Sequence, residues 1–551
     1  MKITLAQLNP TVGDLRTNAE TILRIATQAA DQGIALVLTP ELSLCGYPPR
    51  DLLLKPTFIT EMRSQLNQLA TELPKNITVL VGFAECNSNA AKNGEKPLYN
   101  SIALLQDQQV KQVFRKRLLP TYDVFDEARY FQPGHVPNHF ILDGVTIGVT
   151  ICEDLWNDEE FWGKRSYEHN PIADLAAINV DFTINLSASP YTLGKQHIRE
   201  QMLRHLSQRF SQPIIYVNQV GANDDLIFDG GSCVINKNGT LCDRLPQMRE
   251  HSQVVHWNTP EFTAVAIPNT LMDEGTELYS ALVLGVRDYA RKCGFKQALL
   301  GLSGGIDSAI VAAIAADALG SENVLGILMP SPYSSDHSIT DAESLAKNLG
   351  IRTQTVPIEP MMNAFDSSLA EIFTGTTFGV AEENLQSRIR GTLLMAIANK
   401  FNKLLITTGN KSEIAVGYCT LYGDMNGGLA AIADVPKTKI VALCKWLNRE
   451  KEVIPVNIIT KPPSAELKPG QLDQDSLPDY AILDDILDRY IQNHESKTQI
   501  LAAGHDPAVV SKILRLVKIA EFKRRQSAPG LKVTDRAFGT GWRMPIACKM
   551  E

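Results

Sequence analysis

The stretch LLGLSGGIDSAIV, Leu299–Val311, constrains this chain more tightly than any other. An apolar run of strand character ends at Leu302. Ser303, Gly304, Gly305, Ile306, Asp307 and Ser308 then turn the chain, and an apolar helix pattern begins at once. Glycines in such a turn let the backbone approach a ligand closely, and a helix N-terminus offers free N–H groups and a positive dipole end. Ser303 and Ser308 add hydroxyl donors. NVLGILMP, SDHSITDAESLAKNLG and RTQTVPIE continue the alternation as βαβαβ, the pattern of a doubly wound, Rossmann-like parallel sheet. The turn has neither the GxxxxGK[ST] lysine nor the GxGxxG spacing. Its acid, Asp307, would repel a lone anion but suits a phosphate accompanied by Mg²⁺, which a carboxylate can hold.

The first half of the chain reads differently. IALVL, ITVLVGFA, SIALL, VTIGVTI, FTINLS and PIIYVNQVG are short apolar runs expected as buried strands, with amphipathic segments such as TNAETILRIATQAADQG between them. GGSCVINKNGTLCDRL reads as a hairpin turning at Asn238-Gly239. A long amphipathic helix ending at Gly294 opens the second half. We therefore expect two α/β domains, 1–268 and 269–551, which suits a chain of 551 residues. A stripe of Leu385, Ile389, Leu393 and Ile397 is expected to be core.

A net charge of −8 argues against nucleic acid or an anionic membrane as the main partner and favours small-molecule substrates. The N-terminal sequence lacks the apolar stretch of a signal peptide, and no apolar run is long enough to span a bilayer. The nine cysteines are scattered without a CxxC pair, which is the usage of a reducing, cytoplasmic setting.

One of those cysteines raises a question. Cys152 ends an apolar run and is followed by Glu153 and Asp154, whose charges should raise the thiol pKa. If the segment stays extended, adjacent residues point to opposite faces, and Glu153 need not face the thiol. Two other strand ends carry complementary groups: Glu41 follows IALVL, and Lys116 lies in FRKRLLPTYDVFDEARYF. Strand ends are where sites assemble in α/β sheets.

SGGxDS resembles the pyrophosphate loop of the N-type ATP pyrophosphatase superfamily, with an adenine nucleotide alpha-hydrolase-like fold. Glu41, Lys116 and Cys152 resemble the triad of the nitrilase (carbon–nitrogen hydrolase) family, which implies an α-β-β-α sandwich for the first domain. The two in this order resemble the glutamine-dependent NAD⁺ synthetases over essentially the whole chain. PELSLCGYPPRDLL, ICEDLW, INLSASPY, EENLQSRIRGTLLM, TTGNKSE, KPPSAELKPGQLDQDSLPDY and EFKRRQ carry that resemblance.

The resemblance implies that Cys152 attacks the amide of glutamine, Glu41 takes its proton and later activates water, and Lys116 offsets charge. Glu127 matches a second carboxylate. Tyr122, Ser189 and Lys195 would contact glutamine. Gly301, Leu302, Ser303, Gly304, Gly305, Ile306, Asp307, Ser308 and Thr408 would bind ATP, and Asn384, Glu413 and Lys523 would bind deamido-NAD⁺ (nicotinic acid adenine dinucleotide). Deamido-NAD⁺ carries a diphosphate and a carboxylate, so the Lys523–Arg525 run is a sensible partner for it. Asp307 and Glu413 are the magnesium candidates. The implied assembly is a homo-oligomer in which ammonia passes between sites through protein. The competing reading is an amidase fused to a nucleotide-sensing module without ligase activity.

Overall fold

The computed structural model describes residues 1–265, 271–468 and 470–549. The chain divides into two compact units, Met1–Met272 and Asp273–Glu551. The boundary expected between residues 268 and 269 lies outside the described residues.

The first unit is a four-layered α-β-β-α sandwich. One sheet runs in the order Glu261–Phe262, His251–Asn258, Lys2–Gln7, Leu36–Leu38, Thr78–Cys86, Leu98–Gln106, Gln109–Arg115. The other runs Leu241–Arg244, Cys233–Ile235, Ile214–Asn218, Phe182–Ser187, Val145–Ile151, Asn138–Leu142. Both are parallel at the centre and antiparallel at the edges. Ile3, Leu5, Leu38, Leu80 and Phe114 of one sheet share a buried core with Val149, Ile151, Phe182, Ile184 and Val217 of the other. Each such side chain removed from water contributes about 1.5–3 kcal/mol. That inter-sheet core holds the sandwich together, because buried ion pairs offset much of their attraction by desolvation.

Helices cover both outer faces. Leu15–Asp31 starts where the Asp14 carboxylate accepts the Thr17 N–H and buries Leu15, Ala19, Ile22, Ala26 and Ala29 at three- and four-residue spacing. Met202, Leu203 and Leu206 of Lys195–Arg209 seal the second sheet.

Two expectations about this unit are corrected. PIIYVNQVG forms two strands rather than one, Ile214–Asn218 and Val220–Asn223, in different sheets. The chain turns at Gln219, whose N–H donates to the Ser187 carbonyl, while the Val220 N–H reaches the Leu8 carbonyl. The extended segment expected through Cys152 ends one residue earlier, at Ile151, and Cys152–Leu155 is a 3-10 turn.

In the second unit the five strands are parallel and ordered Arg352–Thr355, Val324–Leu328, Ala298–Gly301, Leu404–Thr407, Leu429–Ala430. The order reverses between Ala298–Gly301 and Leu404–Thr407. That is the switch point where an open α/β sheet leaves a crevice at its carboxyl ends. The expected core stripe of Val380–Phe401 is only partly core. Ile389 is buried, whereas Leu385, Leu393 and Ile397 are half-buried; the helix packs on the sheet through Leu394, Met395, Ile397 and Ala398.

Candidate active sites

Glu41 and Cys152 follow the parallel strands Leu36–Leu38 and Val145–Ile151, and Lys116 follows Gln109–Arg115. The Lys116 Nζ lies 2.7 Å from Glu41 Oε1 and 2.8 Å from Glu127 Oε1. Asn100 Nδ2 donates to Glu41 Oε1 at 2.7 Å and to Glu127 Oε2 at 3.3 Å. The Ala188 N–H holds the other Glu41 oxygen at 2.9 Å, and the Tyr47 hydroxyl donates to Glu127 at 2.9 Å. Glu41, Lys116, Glu127 and Cys152 are all buried.

Cys152 has φ 44°, a left-handed conformation that a non-glycine residue keeps only when its surroundings hold it. Burial pushes its thiol pKa up, Glu41 adds to the shift, and Lys116 opposes it. The resting group is therefore a neutral thiol. Burial alone would lower the Lys116 pKa, but Glu127 and Glu41 more than offset that, so Lys116 stays an ammonium. Burial pushes Glu127 up to about 7, with Lys116 opposing and Glu41 reinforcing the shift. A neutral thiol beside a buried carboxylate and a fixed cation is equipped for nucleophilic attack assisted by a general base.

The two acids after Cys152 have distinct partners. Glu153 accepts the Tyr122 hydroxyl at 3.1 and 3.0 Å and the Tyr167 hydroxyl at 3.0 Å. Its charge adds to the upward shift of the Cys152 thiol, behind burial and Glu41. Asp154 accepts three backbone N–H groups: Ile151 at 3.0 Å, Arg117 at 3.1 Å and Leu118 at 2.8 Å. Burial raises its pKa to about 6. Ser189 adjoins Ala188 and donates its N–H to Asn218 at 2.9 Å. Lys195 donates to the Pro190 carbonyl at 2.7 Å and lies 5.4 Å from the Trp156 ring centre.

In the second unit a cavity of about 710 Å³ opens at the switch point. Gly301, Leu302, Ser303, Gly305, Ile306, Asp307, Ser308 and Thr408 line it, together with Glu413, Lys437 and Arg390. Ser303 and Ser308 brace the turn: their hydroxyls are 3.1 Å apart, and the Gly305 N–H donates to Ser303 Oγ at 3.2 Å. Gly304 has φ 76°, and a Cβ there would stand 2.2 Å from the Ser338 carbonyl oxygen, so this glycine is required for packing behind the turn.

Asp307 accepts Asn410 Nδ2 at 3.0 Å and pairs with the Lys437 ammonium, which also lies 3.4 Å from Glu413. Burial, then the Asp307 charge, raises Glu413 to about 8 although Lys437 opposes the shift. Two carboxylates thus share one ammonium, and these hard oxygen donors fit Mg²⁺. Among the described residues no cluster of three or more acids, histidines or cysteines forms a closed metal cage. Magnesium commonly completes its shell with water and substrate phosphate. Arg390 donates its Nε to the Met329 carbonyl at 3.1 Å and makes no other hydrogen bond among the described residues. Burial lowers its pKa to about 10.

Asn384 and Lys523 are not among the residues lining that cavity. The Asn384 carbonyl accepts the Thr420 hydroxyl at 2.8 Å, and Lys523 donates to the carbonyls of Gly417 and Cys419 at 2.7 Å each. Lys523–Arg525 is not a run of three cations open to a ligand. Arg524 is buried on Glu521 and the Ala415 carbonyl, and Arg525 donates to Glu521 at 2.9 Å.

Comparison with known proteins bears on both units. Residues 2–259 match the carbon-nitrogen hydrolase family and residues 278–527 match the NAD synthase family. A glutamine-dependent NAD(+) synthetase of Synechocystis sp. is 59% identical, with the match covering 99% of this chain and 98% of that protein. The chain belongs to the glutamine-dependent NAD(+) synthetases. One from Thermotoga maritima is 41% identical over 100% of this chain and 99% of its own length. A solved glutamine-dependent NAD⁺ synthetase of Acinetobacter baumannii, in complex with ADP, is 40% identical with a TM-score of 0.78 over 99% of this chain and 98% of that one.

Within this family assignment, several residues of the two sites escape sequence reasoning. Asn100, Tyr47 and Asn410 are buried polar side chains whose motifs name no role for them, and Lys437 meets Asp307 from 130 positions away. A polar residue inside an apolar strand, such as Asn100 in LYNSIALL, was the available signal.

Proposed function

We propose that this protein converts deamido-NAD⁺, ATP, glutamine and water into NAD⁺, AMP, diphosphate and glutamate. The observation that carries this reading is the end-to-end similarity, 59% identity over 99% of the chain, to a synthetase named for glutamine dependence. The buried Glu41–Lys116–Cys152 cluster and the glycine-turn cavity supply the two chemistries that such a reaction needs.

In the first site Glu41 takes the Cys152 proton as the sulfur attacks the glutamine carboxamide carbon. The tetrahedral oxyanion collapses to a thioester as Glu41 returns that proton to the leaving nitrogen, releasing ammonia. Glu41 then takes a proton from the water that attacks the thioester, freeing glutamate and restoring the Cys152 thiol. Lys116 pairs with Glu41 and supplies positive charge near the oxyanion. Tyr122, Ser189 and Lys195 are the proposed glutamine contacts, Tyr122 through its place beside Glu153. Glu127 pairs with Lys116 and accepts the Tyr47 hydroxyl, which holds the ammonium in place.

In the second site the glycine turn and the helix start at Ile306 hold ATP phosphates, with Thr408 on the facing strand end. Asp307 and Glu413 would hold Mg²⁺, which supplies charge neutralisation at the phosphates when bound. The deamido-NAD⁺ carboxylate attacks the α-phosphorus; Asn384, Glu413 and Lys523 are the proposed contacts to the rest of that substrate, Glu413 from the cavity wall and Asn384 and Lys523 from beyond it. Diphosphate leaves, and ammonia displaces AMP from the adenylate. That the Acinetobacter baumannii relative is in complex with ADP supports nucleotide binding by this protein.

We further propose a homo-oligomer in the cytoplasm. Exposed Ile372, Phe378 and Val380 favour assembly, and no helix among the described residues is long and apolar enough to cross a membrane. A product assay with glutamine or ammonium as nitrogen donor tests the whole reading. NAD⁺ and AMP should appear together with either donor, whereas glutamate release without AMP would overturn it in favour of an amidase joined to a nucleotide sensor.

A further inference from the structure

Asp154 has no part in the chemistry just described, yet it is buried and its carboxylate joins the two turns on which that chemistry depends. One oxygen accepts the Ile151 N–H at 3.0 Å and closes the turn that holds Cys152 at φ 44°. The other accepts the N–H groups of Arg117 and Leu118, the two residues directly after Lys116, at 3.1 and 2.8 Å. No other side-chain hydrogen bond among the described residues runs directly between the Cys152–Leu155 turn and Lys116–Leu118. We propose that Asp154 is a positioning residue that fixes the distance between the Lys116 ammonium and the Cys152 thiol. The proposal rests on the reading of Cys152 as the nucleophile.

A structural cap alone would need only the bond to Ile151. The second oxygen is what distinguishes the two roles. An asparagine at this position has one acceptor oxygen, so its NH₂ group must face either the Ile151 N–H or the N–H groups of Arg117 and Leu118, and cannot accept there. In either orientation Asp154→Asn keeps one anchor and breaks the bridge between the two turns. The thiol is faced by Glu41, Lys116, Glu153 and Glu127, with the hydroxyls of Tyr47, Tyr122 and Tyr216 within electrostatic reach. Lys116 is the one cation in that set, so its retreat raises the thiol pKa. A unit charge withdrawn by about 1 Å from about 4 Å moves such a pKa by roughly half a unit at intermediate dielectric.

The test is the pH dependence of Cys152 alkylation by iodoacetamide, followed by mass on the Cys152 peptide of the full chain, beside steady-state glutaminase kinetics. In Asp154→Asn the alkylation midpoint should rise by about half a unit or more, as the charge displacement predicts. Glutaminase kcat should fall by about tenfold or more while KM for glutamine stays within about twofold, since misplacement, not binding, is the fault. Ammonium-dependent NAD⁺ formation should be unchanged. An unshifted midpoint in folded Asp154→Asn overturns the proposal, as does a loss carried by KM. Asp154→Ala removes both links and should exceed Asp154→Asn in the same direction; an Ala variant matching the parent would equally overturn it. Glutaminase activity surviving in Cys152→Ala would instead overturn the nucleophile assignment, whatever Asp154 does.

Discussion

Glu413 shows how one half-buried group on a cavity wall can report on a ligand. Burial and the neighbouring Asp307 lift its pKa from 4.5 to about 8. The sign of the consequence follows from which state binds the proton. Between about 4.5 and about 8 the unfolded chain has lost that proton while the folded chain keeps it, so stability from this group is present at low pH and lost as pH rises towards 8. A cation bound by Asp307 and Glu413 favours the ionised carboxylate and lowers that pKa. Binding of Mg²⁺ with ATP near pH 7 should therefore release a proton. Titration calorimetry in buffers of different ionisation enthalpy measures this directly. The apparent enthalpy should vary with the buffer in the parent and lose most of that variation in Glu413→Gln. Equal variation in the two proteins would assign the proton to another group.

At the scale of elements, the turn after Ala298–Gly301 depends on a backbone position that only glycine fills. Gly304→Ala places a Cβ at φ 76° and 2.2 Å from the Ser338 carbonyl on the neighbouring helix Asp336–Leu349, a collision with backbone that cannot rotate away. The cost should be ~1–3 kcal/mol in thermal stability, with a drop of tenfold or more in NAD⁺ synthesis from either nitrogen donor. Glutamine hydrolysis should persist, and parallel assays of both activities on the one variant check it. This turn was legible because its constraints are local: strand, glycines and helix start lie within thirteen consecutive residues. The strands Val145–Ile151 and Phe182–Ser187 were legible for the same reason, each being a short apolar run with clear ends. The break at Gln219 was not, since both pieces are buried and a continuous apolar pattern hides a change of sheet. Nor was the turn at Cys152, because a left-handed residue held by a carboxylate two positions on leaves no periodic trace. Asn100 and Lys437 lie further from reach still, as their meaning comes from partners 59 and 130 positions away.

At the scale of the whole chain, the two sites use different elementary steps, so their losses should separate. Cys152→Ala removes the sulfur that forms the thioester but leaves every residue of the glycine turn in place. It should abolish NAD⁺ synthesis from glutamine, by about 10³-fold or more as for other nucleophile removals, while synthesis from ammonium at mildly alkaline pH stays near the parent rate. Asp307→Ala acts in the opposite sense. It strips the second site of a carboxylate that pairs with Lys437 and is anchored by Asn410, so synthesis should fail with both donors while glutamate is still formed. The four activities, two variants by two nitrogen donors, are read from NAD⁺ and glutamate in the same reaction mixtures. Loss of the ammonium reaction in a folded Cys152→Ala protein would mean that the second site draws on the first for more than ammonia, and the division of labour argued from Cys152 and Asp307 would have to be abandoned.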